Sequence, residues 1–336
     1  MSTAQWLNDL ISKVAKEETV DFISTPPLTV GGRDPEFRSL VPEETYLSVR
    51  VKSLRLPLRR RGVAKLHGVV HTFANLPGAG QEATEFASAT TPTALFGLDP
   101  KNVSNILMID RQVVGPTPWR GGDLRLQIGL FSVVEQDLAG PFLLTMTALS
   151  DKVGVAFVTP SKPFIEVISS AVGALTRQVG SVKLEIGMDR TFQVPKPGHY
   201  ALIASSVGEL AGAKMDLDPD DGKLKVDGQH YEDRPYLVFT IEAVEKQARW
   251  GEIGELRDAY RLVNEAVRAN DQSKVRDAMT SFRLLTMSSP DLIATDASDL
   301  IKKVDAKLRL IFSSPVVSSK DMSQPLPSFE ELGLYK

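Results

Sequence analysis

Apolar positions recur with different periods along the chain, and the changes of period divide it. Near the N-terminus Trp6, Leu7, Leu10, Ile11 and Val14 fall at helical spacing opposite Asn8, Asp9, Ser12, Lys13 and Lys16, which predicts a short amphipathic helix. Acids and bases nearly cancel along it, favouring docking on the body or a partner over a membrane surface. Ser24 to Glu44 carries Pro26, Pro27, Gly31, Gly32, Pro35 and Pro42 and reads as a connector, so residues 1–44 form a first unit.

From Tyr46 the period is two. Leu47, Val49 and Val51 alternate with Arg50 and Lys52, and the phase then slips so that Leu54 and Leu56 flank Arg55, the signature of a bulge. Leu124, Leu126, Ile128 and Leu130 predict a half-buried strand, and Val182, Leu184 and Ile186 another. Ile106–Ile109, Tyr200–Ala204 and Tyr236–Val244 are more continuously apolar, as strands covered on both faces are. Pro141–Leu149 and Pro163–Val179 interrupt the strands as helical candidates. Few helices separate the strands, so residues 45–248 are expected to form an antiparallel β-sandwich, C2-like or jelly-roll-like, and not repeated βαβ units.

After Trp250 the period turns helical. Leu256, Ala259, Tyr260, Val263 and Val267 make one stripe, Val275, Met279, Phe282 and Leu285 a second, and Leu300, Ile301, Val304, Leu308 and Ile311 a third. Asp271 and either Thr295 or Asp296 are candidate caps, and Pro290 separates the last two helices. Residues 249–312 therefore read as a helical hairpin or three-helix unit, and the fold class as β-rich α+β. Residues 313–336 hold six Ser and three Pro before ending on Leu326, Phe329, Leu332, Leu334 and Tyr335, the pattern of a polar linker with apolar anchors. Ser328 can cap a turn that puts Phe329 and Leu332 on one side.

Composition narrows the chemistry. The 336 residues include no cysteine, which closes thiolate metal sites, disulfides and Cys nucleophiles. Neither a long apolar span nor a secretory leader is legible, so the cytoplasm is the expected compartment, and no cofactor is implied. Nucleophile-elbow, phosphate-loop, zinc-helix and dinucleotide motifs are missing; the Gly78–Gly80 turn lacks the lysine and helix opening of a phosphate cradle.

Charge is distributed unevenly. Net charge is −3, yet no acid occurs between Glu44 and Glu82, where Arg50, Lys52, Arg55, Arg59, Arg60, Arg61 and Lys65 supply seven positive charges. Arg55, Arg59, Arg60, Arg61 and Lys65 are thus candidate contacts for an acidic protein, phosphate or an anionic surface. The aromatics that stack exposed bases are missing there, which argues against nucleic acid. Asp216, Asp218, Asp220 and Asp221 alternate like the start of a calcium loop, but Asp221 stands where an EF-hand needs glycine, so a solvated hairpin turn is preferred to calcium. His67 and His71 lie on a predicted strand, roughly 13 Å apart, too far to share one metal, and read as half-buried. His230, Tyr231, Glu232 and Asp233 offer acid–base groups.

Three functional classes stay open. The first is a non-catalytic interaction or structural subunit of a homo- or hetero-oligomeric assembly. The second is a peripheral module binding phosphate or anionic lipid, with or without the help of calcium. The third is a hydrolase whose site is assembled from distant residues.

Overall fold

A computed structural model describes residues 3–18, 20–56, 60–61, 64–78, 83–89, 106–134, 182–206, 208–232 and 234–313. The helical candidates at 141–149 and 163–179 lie outside them, as do all of the tail anchors. The architecture is strand-rich α+β, with antiparallel sheets followed by helices.

One sheet has the order β1 (Val20–Ser24), β10 (Gly198–Ser206), β14 (Tyr236–Val244), β3 (Tyr46–Arg55), β7 (Ile106–Pro118). The other runs β6 (Ala83–Ala89), β5 (Ala64–Pro77), β8 (Leu124–Val134), β9 (Val182–Phe192), with the two-residue β4 (Arg60–Arg61) hairpinned onto the start of β5. One core unites them. Leu47, Val49, Val51, Leu54, Leu202 and Phe239 from the first sheet share it with Val70, Ala74, Leu126, Ile128, Leu130 and Ile186 from the second.

The phase slip in β3 is a bulge, because the register with β7 shifts between Val51 and Ser53 and that with β14 shifts opposite it. The slip keeps Leu54 in the same core as Val51 although the two are three apart.

The continuous apolar runs of β10 and β14 have a structural cause. Tyr200, Leu202, Leu237 and Phe239 join the sandwich core, while Ala201, Ile203, Tyr236 and Val238 join a second cluster with Leu28, Leu217 and Leu224. That cluster lies under a small sheet of β13 (Gln229–His230), β12 (Leu224–Val226), β11 (Met215–Leu217) and β2 (Thr29–Val30). The supposed connector Ser24–Glu44 therefore contributes β2, which pairs parallel with β11, and the last residue of β1, which pairs antiparallel with β10 just ahead of it. Both strands are short, with Pro26 and Pro27 between them and Gly31 and Gly32 after β2, so turn composition masked them.

Helix α1 (Thr3–Glu18) docks on β9, β8 and β1. Leu7 is fully buried, while Leu10, Ile11 and Val14 are half-buried and Asn8, Asp9, Ser12 and Lys13 are not. The seat is a cross-strand glycine pair: Gly129 of β8 faces Gly187 of β9. A Cβ on Gly187 would overlap Ile11, and one on Gly129 would crowd Phe131 and Leu7. Gly187→Val is therefore expected to lift the helix, costing about 2 kcal/mol. Amide exchange over residues 3–18 should rise sharply; protection equal to the wild type would contradict this packing.

Three helices follow β14 and a 3-10 turn at Trp250–Glu252: α2 (Gly254–Arg268), α3 (Gln272–Ser288) and α4 (Ala294–Ser313). Their own core holds Leu256, Tyr260, Val263, Met279, Phe282, Leu300 and Val304. A buried polar junction joins them to the sandwich. The Tyr46 hydroxyl donates to Asp296 Oδ2 at 2.8 Å and accepts from the Ile293 N–H at 3.0 Å. The Gln247 backbone N–H donates to the same carboxylate oxygen at 3.0 Å, and its side-chain amide donates to the Pro116 carbonyl at 2.7 Å. Because Asp296 lies inside the first turn of α4 and points into this junction, it is not the residue that caps the helix.

Candidate interaction groove

The helical unit carries a groove open to solvent, and its origin is visible in the two helices that form it. The Asp271 side chain caps α3, accepting from the N–H groups of Ser273 and Lys274 at 3.1 Å each. Hydrogen bonds from Ser273 first, and from the Lys274 backbone, hold its carboxyl well below the usual range. The buried stripe of α3 is Val275, Met279, Phe282 and Thr286; Leu285, expected inside, is 38% exposed. Steps of 4, 3 and 4 keep to one face, whereas Leu285 sits about 80° away from it.

Helix α3 lies closely along α2 and more loosely along α4. An ion pair also ties it to α4, with Arg283 Nη2 2.7 Å from both Asp305 oxygens. Between this pair and the end of α4 opens a groove of about 430 Å³. Val275, Met279, Leu308 and Phe312 supply its apolar lining; Arg276, Arg283, Arg309 and Thr280 stand around it with Asp305. Arg276, Thr280, Arg283 and Met287 share one stripe of α3, and Met287 at its far end is 58% exposed. An apolar trough beside three arginines and one aspartate is suited to burying a pair of large side chains while the guanidinium groups meet carboxylates.

The sequence candidates fall elsewhere. Arg55 is buried, and its Nη1 donates to the Arg234 carbonyl at 3.1 Å, so it braces β3 against the chain entering β14. In the β4–β5 hairpin Arg60 stands opposite Lys65 and Arg61 opposite Ala64. Arg59 lies outside the described residues.

Asp218, Asp220 and Asp221 lie in the β11–β12 turn, where Asp218 is buried, and Asp216 lies within β11. Asp216 accepts from Thr29 Oγ1 at 2.5 Å and from the Gly32 N–H at 3.0 Å, tying β11 to the β2 segment. Asp218 accepts from the Asp220 N–H at 2.8 Å and lies 2.6 Å from Lys225 Nζ and 3.0 Å from His230 Nε2. The Asp221 carboxylate pairs with Lys223 at 2.7 Å. Asp218, Asp221 and His230 converge closely enough to hold an ion, yet two lysines already neutralise the carboxylates. The hydrogen bonds from His230 and Lys225 push the Asp218 carboxyl far below its ordinary value.

A depressed carboxyl contributes stability above the ordinary Asp range and loses it as pH falls below. Asp218→Asn is accordingly expected to lower the melting temperature at neutral pH and to make the acid limb below about pH 4 shallower. Millimolar calcium should leave wild-type melting unchanged; a rise abolished by Asp218→Asn would establish a calcium site instead.

His71, expected to be half-buried, is wholly inside β5, where its Nδ1–H donates to the Ser88 carbonyl at 3.1 Å. Burial lowers its pKa to about 4, against which the bond to Ser88 works only weakly. The side chain of His67 is outside the described residues. Of the acid–base group, His230 meets Asp218, Tyr231 is buried in the second cluster, Glu232 is exposed, and Asp233 is not described.

The groove itself escaped the sequence reading. Its trace was present in Arg276 and Arg283 on α3 and Arg309 on α4, each bordering an apolar stripe. Comparison with family models, with curated proteins and with solved structures returns no match to this chain. Among the described residues no helix is long and apolar enough to cross a membrane.

Proposed function

We propose that the protein is a non-catalytic interaction subunit of a larger assembly, with the sandwich as body and the helical unit as receptor for a peptide segment of a protein partner. The α3–α4 groove carries this reading: it opens to solvent over the largely buried Val275, Met279 and Leu308 and the half-buried Phe312, is bordered by arginines, and lies on a unit held to the body by the buried Asp296 junction. The segment that fits carries apolar residues three or four apart with acidic residues beside them.

Peptide display against the full chain tests it without knowledge of the partner. Enriched sequences should share that pattern and lose binding at least tenfold in Arg276→Glu/Arg309→Glu, two exposed positions. Enrichment indifferent to this charge reversal would reject the reading.

The second reading, an anion- or lipid-binding module, is supported by the β4–β5 hairpin, whose backbone register pairs position 60, an arginine, with position 65, a lysine. Opposed like charges favour an external counter-charge. Under it, the chain sediments with phosphatidylserine vesicles at low salt, and Arg59→Glu/Arg60→Glu/Arg61→Glu abolishes this. Failure to sediment removes it.

A further inference from the structure

Helix α4 ends at Ser313, one residue after Phe312 of the groove, and the sequence continues to Lys336. Leu326 comes thirteen residues beyond Ser313 and opens the stretch LPSFEELGLYK. This stretch matches the groove in three respects.

Its apolar residues Phe329 and Leu332 are three apart, the spacing that presents two side chains to one trough. Glu330 and Glu331 stand between them, opposite in sign to the arginines Arg276, Arg283 and Arg309 around the lining. The reach also suffices. Thirteen residues can reach up to about 45 Å, whereas Val275 to Arg283 covers about 12 Å of α3.

We infer that the chain's own segment Leu326–Tyr335 is the resident occupant of the α3–α4 groove, bound within the same molecule and displaced when a partner segment takes its place. This rests on the groove being a peptide receptor. It adds that the receptor is self-capped, so its openness to partners is set by competition with the tail. Attachment through a short linker gives the tail an effective concentration of about 1 mM, so a segment whose free peptide binds at about 100 μM occupies the groove roughly nine-tenths of the time.

A labelled synthetic peptide of residues 323–336 titrated onto the full chain provides the test. The expected result is weak binding to the wild type and about tenfold tighter binding to Phe329→Glu/Leu332→Glu, whose own tail no longer competes. Adding Arg276→Glu/Arg309→Glu to that variant should abolish binding, and a peptide carrying Glu330→Arg/Glu331→Arg should restore it.

Equal affinity for wild type and tail variant would overturn self-capping, as would no binding to either. A wild-type mass in solution that rises with concentration and falls to the monomer in Phe329→Glu/Leu332→Glu would overturn it in favour of exchange between two copies. If displayed peptides depend on Arg276 and Arg309 while the tail peptide does not bind, self-capping fails and the receptor reading stands. If displayed peptides are indifferent to those arginines, both fall.

Discussion

Tyr46→Phe lowers the unfolding free energy by about 3 kcal/mol, a large effect for the loss of one oxygen. Phenylalanine fills the same fully buried volume, so the core is kept and only the hydroxyl is removed. That hydroxyl serves two groups at once, donating to Asp296 and accepting from the Ile293 N–H. Without it the carboxylate keeps the Gln247 N–H, but the amide at the entrance of α4 loses its acceptor inside the protein. A buried group left unsatisfied costs about 1 to 3 kcal/mol, and a bond to a charged acceptor is worth about 1.5 to 3. Urea unfolding of Tyr46→Phe, Asp296→Ala and the double variant measures the coupling directly. A loss below about 1 kcal/mol in Tyr46→Phe would mean that the junction does not hold the two units together.

Acid should weaken the fold well before the carboxylates protonate. His71 is neutral inside β5 with a pKa of about 4, whereas an unfolded histidine titrates near 6.5. Between those values the unfolded chain binds a proton that the fold refuses, so stability falls as pH drops through this window and is unaffected by this group above it. The full displacement amounts to roughly 3 kcal/mol, with about 2 kcal/mol lost by pH 5. Denaturation midpoints near neutrality and at about pH 5 give the slope, and His71→Gln should flatten it. An imidazole titrating near 6.5 by NMR would refute the prediction.

The elements legible in the sequence are those in which each residue's environment repeats. Leu124 to Leu130 alternates because β8 has one face in the core, and the β3 slip shows because a bulge moves every later side chain by one position. Asp271 was recognisable as a cap since capping is local chemistry. Other features depend on partners far away in the chain. Arg55 looks like surface charge until Arg234, 179 positions on, is brought to it. Asp296 looks like a helix cap until Tyr46 and Gln247 surround it. The groove belongs to this second kind, because its lining comes from two stripes that separately read as ordinary helix faces.

The junction also has a consequence in time. Tyr46 leaves the ribosome 250 residues ahead of Asp296, and at about 5 to 20 residues per second the interval is about ten to fifty seconds. During it β3 lacks first β7 and then, for longer, β14, the two neighbours that flank it in the finished sheet. The nascent chain thus carries an apolar strand with both edges open until β7 emerges and with one edge open until β14 follows. Only when the helical unit emerges does the first strand of the core find its last hydrogen bonds, so an interrupted polypeptide differs from a complete one at the centre of the fold as well as at its end.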